Sequence, residues 1–167
     1  MSPKGRARLV LGLLAAAGMV QFLTGFSSMP ETMATHFGPS GAADGFAPKS
    51  AWPFVQAIML GLPLLIGLGT PELVGRIPVE LVNLPNKEYW LAPERRATTL
   101  DAFREELAWF GSFMLAFMLW VTHLVFDANR RHGPLSNSGM IMGLLVMLAV
   151  TIVWCVRFFR RFRLPPG

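Results

Sequence analysis

Three histidines and one aspartate in this sequence would lie at one membrane face and could together provide ligands for a metal ion. His123 lies inside an apolar run, and Asp127 follows one helical turn later, so the two side chains can meet on one helix face. Imidazole and carboxylate groups at one membrane face are potential zinc ligands. The spacing of His36, His123, Asp127 and His132 matches no established site. We therefore expect hydrogen-bonded structural histidines and no cofactor, with a metal at His36, His123 and Asp127 as the alternative.

Two other patterns relate to softer metals and to haem. Met29, Met33 and His36 recur at helical spacing, which would place two thioethers and an imidazole on one helix face as Cu(I) ligands. The same spacing suits a short amphipathic helix resting on a membrane bundle, and we expect packing. His123 is a lone membrane histidine without a paired ligand on a second apolar run, which is weak evidence for haem.

Motifs of enzymes and transporters are poorly represented. The sequence contains no Gly-x-Ser-x-Gly elbow, phosphate loop or His-Glu-x-x-His motif, so we expect no enzymatic activity. Transporters normally carry polar or charged groups near mid-membrane, often on broken helices. Pro63 marks a candidate break, but no acid or base accompanies it. Five central carboxylates stand among arginines, as on a solvated helix face: Glu88, Glu94, Asp101, Glu105 and Glu106.

The composition is that of a membrane protein. Hydrophobic residues make up 53% of the chain, charged residues 15%, and the mean hydropathy is +0.46. These values leave too little polar surface to cover a soluble globule. The net charge is +5, and the charged residues cluster beside the apolar runs. This position is typical of membrane flanks and argues against nucleic-acid binding. With Cys155 as the single cysteine, an intrachain disulfide is excluded.

Four apolar runs predict an all-α integral membrane protein, a compact bundle of four transmembrane helices forming one domain over residues 1–167. The first run would extend about 27 Å as a helix, close to a hydrocarbon core of roughly 30 Å, and is too long for a signal peptide. Pro63 should kink the second helix. The runs are residues 9–26, 52–74, 107–126 and 139–156.

Basic residues predict that both termini and the middle loop are cytoplasmic. The outer side would hold only Lys49, Arg130 and Arg131. The cytoplasmic side would hold the remaining basic flank residues: Lys4, Arg6, Arg8, Arg76, Lys87, Arg95, Arg96, Arg104, Arg157, Arg160, Arg161 and Arg163. The expected location is a bacterial inner membrane.

Two loops should have structure of their own. In the first, Pro30 predicts a short helix that Gly38-Pro39 ends, and Asp44-Gly45 predicts a turn. The expected result is a short helix followed by a hairpin-like cap over the outer face of the bundle. In the cytoplasmic loop, residues 94–106 predict an amphipathic helix. That helix would lie on the membrane surface or run directly into the third span.

Small residues recur four positions apart in two of the runs. Gly139 and Gly143 open the fourth run, and Gly12 and Ala16 form a similar pair in the first. Such pairs let two helices approach closely in a membrane. Either pair could pack within the bundle or contact another protein.

The first outer loop resembles the signature of a bacterial membrane family known as domain of unknown function 1648, which also forms the N-terminal part of the toxin-immunity protein SdpI. The pattern is Thr-His-Phe, a glycine turn, then Asp-Gly-aromatic and a basic residue, with Met29 where the family has leucine. The matching residues, which we take as a candidate outer motif, are His36, Phe37, Gly38, Gly41, Asp44, Gly45 and Lys49.

A second stretch resembles a block found in stand-alone members of that family. With it, the resemblance covers about residues 9–126 and implies a fold and topology rather than a reaction. We take this stretch as a candidate cytoplasmic motif, formed by Asn83, Pro85, Asn86, Tyr89, Trp90, Pro93, Glu94, Arg95 and Arg96.

These observations favour a non-enzymatic, SdpI-like membrane protein that acts by contact with other membrane components, in an immunity, signalling or accessory role. Its partners would be membrane lipids and a membrane protein or a second copy of the chain. The alternatives are a metal- or cofactor-binding accessory subunit with an outer histidine site, and a small transporter component.

Overall fold

The computed structural model describes residues 5–164. Lys4, one of the basic residues before the first apolar run, lies outside the described residues. The elements follow in the order α1 (Arg6–Phe26), β1 (Thr32–Phe37), β2 (Ala43–Pro48), α2 (Trp52–Leu64), a π-helical segment (Leu65–Gly69), α3 (Thr70–Val74), α4 (Lys87–Trp90), α5 (Pro93–Arg131) and α6 (Asn137–Arg161), with short 3-10 turns at Lys49–Ala51 and Val79–Leu81.

Four helical segments within residues 5–164 are long and apolar enough to cross a membrane, which confirms the predicted number. They are Arg6–Phe26, Lys49–Val74, Pro93–Arg131 and Asn137–Arg161. The last two extend past the apolar runs at both ends and the first two only at their start, because flanking residues continue the helix beyond the hydrocarbon-length segment. The protein thus has the helices of a multi-pass membrane protein.

The first loop is a β-hairpin, so the predicted short helix after Pro30 and the strictly all-α fold are wrong. Strand β1 pairs antiparallel with β2, and Thr32 lies opposite Pro48. The turn lies at residues 38–41 instead of Asp44-Gly45, which forms part of β2. Two threonines in β1 favour extended backbone, and pairing with β2 satisfies the backbone groups that a helix would have satisfied internally.

The second span changes helical geometry in its middle. It is α-helical through Pro63, becomes π-helical over Leu65–Gly69 and returns to α-helix at Thr70. A π segment is rare and locally widens the helix. It packs backbone against backbone on α5, since a Cβ on Gly111 would lie 3.0 Å from the Gly67 Cα atom. The π segment begins two residues after Pro63, and the kink expected at Pro63 stays a prediction.

Helix α5 is the central element. It extends unbroken from Pro93 to Arg131, so the predicted amphipathic helix over residues 94–106 runs directly into the third span. Helices α1 and α2 and the π segment pack on it, and α6 packs on it separately. Leu11, Leu60 and Leu115 form a small core between α1, α2 and α5.

The two ends of the structure are distinct. At the hairpin end, the hairpin meets the loop between α5 and α6, where the Leu135 backbone N–H donates to the Gly41 carbonyl at 2.8 Å. At the opposite end, here the termini end, Arg8 lies 3.8 Å from Glu72. The start of α1 and the end of α6 therefore lie at the same end as the middle loop, since Asn86 of that loop donates to the Phe162 carbonyl. Which end faces the cytoplasm stays a prediction.

Candidate functional site

The outer motif forms the hairpin and its attachments. His36 on β1 and Asp44 on β2 face each other, with Nδ1 of the imidazole 2.5 Å from a carboxylate oxygen. Their side chains are 75% and 53% exposed. Gly45 lies opposite His36, and a Cβ there would come within 2.8 Å of the histidine Cβ. This pair closes the hairpin across its solvent face.

Gly41 occupies the one position of this motif that requires a left-handed backbone. Its φ is +82°, and a Cβ would lie 2.6 Å from the Leu135 carbonyl oxygen. Glycine adopts this conformation without steric cost. The turn is closed by the Gly41 N–H, which donates to the Gly38 carbonyl at 2.8 Å. Next to it, the Asn137 side chain donates to the Pro39 carbonyl at 2.9 Å. The motif glycines thus dock the hairpin on the start of α6.

Lys49 ties the hairpin to the end of α1. Its ammonium group donates to the Met29 carbonyl at 2.9 Å and the Ser27 carbonyl at 3.3 Å. It also lies 5.1 Å from the centre of the Phe26 ring. A cation at the carbonyl end of a helix interacts favourably with the helix dipole and the unpaired carbonyls. The basic residue of the motif has a structural explanation within this chain.

Asn129 clamps the hairpin to α5. Its side-chain oxygen accepts from the Ala34 N–H at 2.7 Å, and its amide nitrogen donates to the Ala34 carbonyl at 3.0 Å. The asparagine is 5% exposed. Below it, Met33 and Phe126 belong to a buried apolar cluster against which Phe37 of the motif also packs. Met29 and Met33 are both buried, whereas His36 points to solvent, so these three side chains do not share a face.

The cytoplasmic motif caps the end of α6. The Asn86 side chain and the Trp90 indole N–H both donate to the Phe162 carbonyl, at 2.8 and 2.9 Å. Asn86 has a left-handed backbone, with φ of 53°. Phe162 is 1% exposed and lies among Val82, Leu84 and Leu91. The middle loop therefore encloses the residue that directly follows α6.

The remaining residues of this motif shape the loop itself. Arg95 donates to the Tyr89 carbonyl at 2.8 Å, and its guanidinium lies 3.9 Å from the tyrosine ring centre. Arg96 donates to the Gly75 carbonyl at 3.3 Å. The buried Thr99 hydroxyl donates to the Trp90 carbonyl at 2.7 Å. Pro93 and Glu94 open α5, and Asn83 and Pro85 lie in the extended stretch and turn before α4.

Helix α6 is attached at both ends and packs on α5, but it is exposed along its length. Between Asn137 and Arg161 no residue is buried. The Trp120 indole N–H donates to the Gly139 carbonyl at 2.9 Å, and a Cβ on Gly143 would meet the same indole at 2.6 Å. The Gly139–Gly143 pair thus packs inside the protein. Among the described residues, Gly12 has no atom within 4 Å of a Cβ and faces outward.

Glu106 is buried, so its prediction as part of a solvated face is wrong. Its side chain is 5% exposed and accepts from Arg161 at 2.6 Å. The Trp154 indole N–H donates to the Glu106 backbone carbonyl at 3.0 Å. Local spacing in the sequence does not indicate this ion pair, because the partner arginine lies 55 residues away on α6. A second ionic group, on the surface, joins Glu72 to Arg104 at 3.0 Å.

The candidate metal ligands do not come together. His36 pairs with Asp44, Asp127 pairs with Arg131, and His123 stacks on Trp120 with ring centres 5.7 Å apart. Within residues 5–164, no group of three His, Cys, Asp or Glu side chains is placed to hold an ion. His132 ends α5 in a left-handed conformation.

Buried polar residues within the apolar helices were absent from the sequence-based candidates. Gln21 and Gln56 are the two glutamines of the chain, and each has side-chain atoms enclosed without a protein partner among the described residues. The signal was available, since both lie in apolar runs whose central parts carry no charge and where polar side chains are costly. Asn129, three residues after the third run, carried a weaker signal.

Comparison with known proteins finds similarity to one relative and, over part of the chain, to one family. An uncharacterized protein from Archaeoglobus fulgidus is 25% identical over 166 residues, which cover 95% of this chain and 87% of the relative. No solved structure matches. Residues 83–96 lie outside the segment that a family model matches. Residues 13–67, which hold most of α1, the hairpin and the second span up to Gly67, match the family described as "Domain of unknown function (DUF1648)", and the predicted resemblance is confirmed over this segment.

Proposed function

We propose that the protein is a non-enzymatic membrane protein that acts by contact with another membrane protein, and that α6 is its contact element. The observation that carries this proposal is the state of α6: it is the most apolar of the four candidate spans, and none of its residues is buried. An SdpI-like immunity, signalling or accessory role accords with such a contact.

Both motif segments support this assignment, because both position α6. The hairpin attaches its start through Gly41 and Leu135, and the middle loop attaches its end through Asn86 and Phe162. Anchoring fixes the rotation of the helix, which a specific helix–helix contact needs.

The free face of α6 is continuous over the length of the span. Its side chains, from 44% to 61% exposed, are aliphatic or aromatic and carry no hydrogen-bonding group. They are Ile141, Met142, Leu144, Leu145, Val146, Leu148, Ile152, Val153, Val156 and Phe159. A second transmembrane helix is the partner whose chemistry fits this face.

Purification in a mild detergent, followed by mass determination and mass spectrometry, tests the proposal. We expect a complex of fixed stoichiometry, with either a second copy or another membrane protein. The variant Leu145→Trp should dissociate it, because a bulky ring on the contact face prevents close helix approach. Leu13→Trp is the matched control, since Leu13 and Leu145 are both 61% exposed at mid-helix.

The outcome that contradicts the proposal is equally specific. A chain that always migrates as a single copy, or a complex that Leu13→Trp disrupts as strongly as Leu145→Trp, would remove α6 as the contact element.

We further propose a bacterial cytoplasmic membrane with both termini inside. The basic residues support this orientation, since the hairpin end holds Lys49, Arg130 and Arg131 and the termini end holds the remainder within the described chain. A reporter fused after Gly41 should be external, and one fused after Asn86 should be cytoplasmic. The reverse pattern would invert the assignment.

A small transporter component is the second candidate, favoured by the π-helical segment Leu65–Gly69 next to Pro63. Broken helices line substrate paths in several transporter folds. Reconstitution into proteoliposomes tests it: a flux carried by the purified chain should be abolished by Pro63→Ala. The absence of flux would dismiss the transporter.

A further inference from the structure

The two glutamines of the chain both lie in apolar helices and both carry enclosed polar atoms. Gln56 on α2 is 3% exposed, and neither its amide oxygen nor its amide nitrogen has a hydrogen-bond partner among residues 5–164. Gln21 on α1 donates to the Leu119 carbonyl at 3.1 Å, but its own oxygen is enclosed without a partner in the same part of the chain.

The two side chains lie at one depth on facing helices. A Cβ on Gly18 would lie 2.6 Å from a Leu60 methyl group, so α1 and α2 touch at this level. Gln21 follows Gly18 by three residues, toward the hairpin end. Gln56 precedes Leu60 by four residues, also toward the hairpin end because α2 runs in the opposite direction. Each glutamine is therefore about one helical turn beyond the same contact.

A second contact closes the site on the side of the hairpin. Phe126 of α5 packs against Gly25 of α1, where a Cβ would meet the ring at 2.6 Å. The same ring lies 5.4 Å from the ring centre of Trp52, one turn beyond Gln56 on α2. Trp52 is 4% exposed, and its indole N–H is a further enclosed donor without a partner within residues 5–164.

Four polar atoms thus lie between two apolar contacts: both amide atoms of Gln56, the oxygen of Gln21 and the indole nitrogen of Trp52. A buried polar group without a hydrogen bond destabilises a protein, and more strongly in hydrocarbon than in a soluble core. A buried carboxylate can take up a proton and so lose its charge, which lowers the cost of burial. Glutamine and tryptophan are already neutral, so their buried polar atoms still need hydrogen-bond partners. A molecule from outside the chain would supply the missing partners.

The donors and acceptors define that molecule. Gln56 and Trp52 offer N–H groups that need acceptors, while the oxygens of Gln56 and Gln21 need donors. Every lining group is neutral. A small neutral molecule with both functions, such as water, satisfies all of them, and a buried water typically makes about three hydrogen bonds. An ion would find no compensating charge among these groups.

We propose that Gln56, Gln21 and Trp52 form an internal binding site for water beneath the hairpin. Met33 of β1 and Trp52 share one buried cluster, so the hairpin covers the site at its outer side. The site is independent of the contact proposed for α6, which lies on the opposite side of α5.

Nuclear magnetic resonance of glutamine-labelled protein in lipid nanodiscs tests the proposal directly. Because the chain has two glutamines, labelling the side-chain nitrogen yields two amide groups, which Gln21→Met assigns. We expect a cross-peak between the Gln56 amide protons and a slowly exchanging water. A Gln56 amide with no water contact would overturn the proposal.

The sign of a stability change provides the second test. Methionine at position 56 fills a similar volume without polar atoms. If water satisfies the site, Gln56→Met strands the other groups and should lower the Tm by about 2–4 °C. If the amide is an unpaired group in an apolar interior, the same variant raises the Tm, which would overturn the proposal. Leu60→Met, at a 7% exposed position on the same helix, controls for methionine itself.

Discussion

Trp90 donates its indole N–H to the carbonyl oxygen of Phe162 at 2.9 Å, joining the middle loop to the buried residue that directly follows α6, across 72 positions of sequence. Asn86 donates to the same oxygen. The loop that resembles a family block therefore makes its hydrogen bonds to another part of the same chain. We propose α6, which this loop holds in place, as the contact element instead of the loop.

Removing both donors to the Phe162 carbonyl should destabilise the protein more than the two single variants predict. Trp90→Phe and Asn86→Gly each leave one donor and should cost about 0.5–1.5 kcal/mol of unfolding free energy. Glycine accommodates the left-handed backbone at position 86, so that variant isolates the lost hydrogen bond. The double variant strands the carbonyl, and its cost should exceed the sum by about 1 kcal/mol. Unfolding in detergent mixtures measures all three.

The exposed Glu88, on the same short helix, provides the control through Glu88→Ala, which should be neutral. Simple additivity of the two variants would show that the Phe162 carbonyl finds another partner.

Asn129→Leu should release the hairpin from α5. Both backbone groups of Ala34 lose their partner, and the cost should be about 2–4 kcal/mol. Hydrogen exchange measures the effect locally, because the Ala34 amide proton should exchange much faster while amides in the middle of α5 keep their protection.

Asn137→Ala removes a single exposed hydrogen bond to Pro39 and should change hairpin exchange far less. Equal effects of the two variants would contradict a specific clamp at Asn129.

Gly41→Ala should destabilise the protein, whereas Gly12→Ala should not. At position 41 an alanine must adopt a φ near +82° and approach the Leu135 carbonyl, at a cost of roughly 2–3 kcal/mol. At position 12 a methyl group meets open space in a helix, which favours alanine by about 0.5–1 kcal/mol. Thermal unfolding distinguishes them by opposite signs. A neutral Gly41→Ala would mean that the turn has another conformation.

Arg161→Met should be more harmful than the double variant that also replaces Glu106 with glutamine. The single variant leaves a buried carboxylate without its partner, at about 2–3 kcal/mol, below the range for fully enclosed pairs because Arg161 is 41% exposed. Glu106→Gln in the same chain removes the stranded charge and should restore most of the stability. Denaturation of the two variants, with Glu106→Gln alone as reference, forms the cycle. No recovery would contradict a direct ionic contact between α5 and α6.

The sequence predicted the spans well because length and apolar composition determine them almost alone. It predicted the hairpin poorly. Met29, Met33 and His36 fit a helical period, but strand pairing and the clamp from Asn129 come from distant residues. The turn at Gly41 likewise depends on Leu135, which no local pattern shows.

Polar residues inside the spans were overlooked for a different reason. A titratable side chain such as His123 is conspicuous in an apolar run, yet it is exposed. Gln21 and Gln56 carry no charge and are less conspicuous, yet their side chains have enclosed polar atoms. Glu106 was assigned to solvent because its helix neighbours are charged, whereas Arg161 reaches it from α6. These contacts join residues far apart in sequence, and local spacing carries no information about them.

Photo-crosslinking from α6 tests the central claim most directly. A photoreactive residue at Leu145 and, in a separate chain, at Leu13 samples two equally exposed mid-helix positions in native membranes. If α6 is the contact element, we expect one discrete protein adduct of fixed mass from Leu145 and none from Leu13. Adducts to lipid alone from both positions, or the same protein adduct from both, would contradict a specific contact at α6.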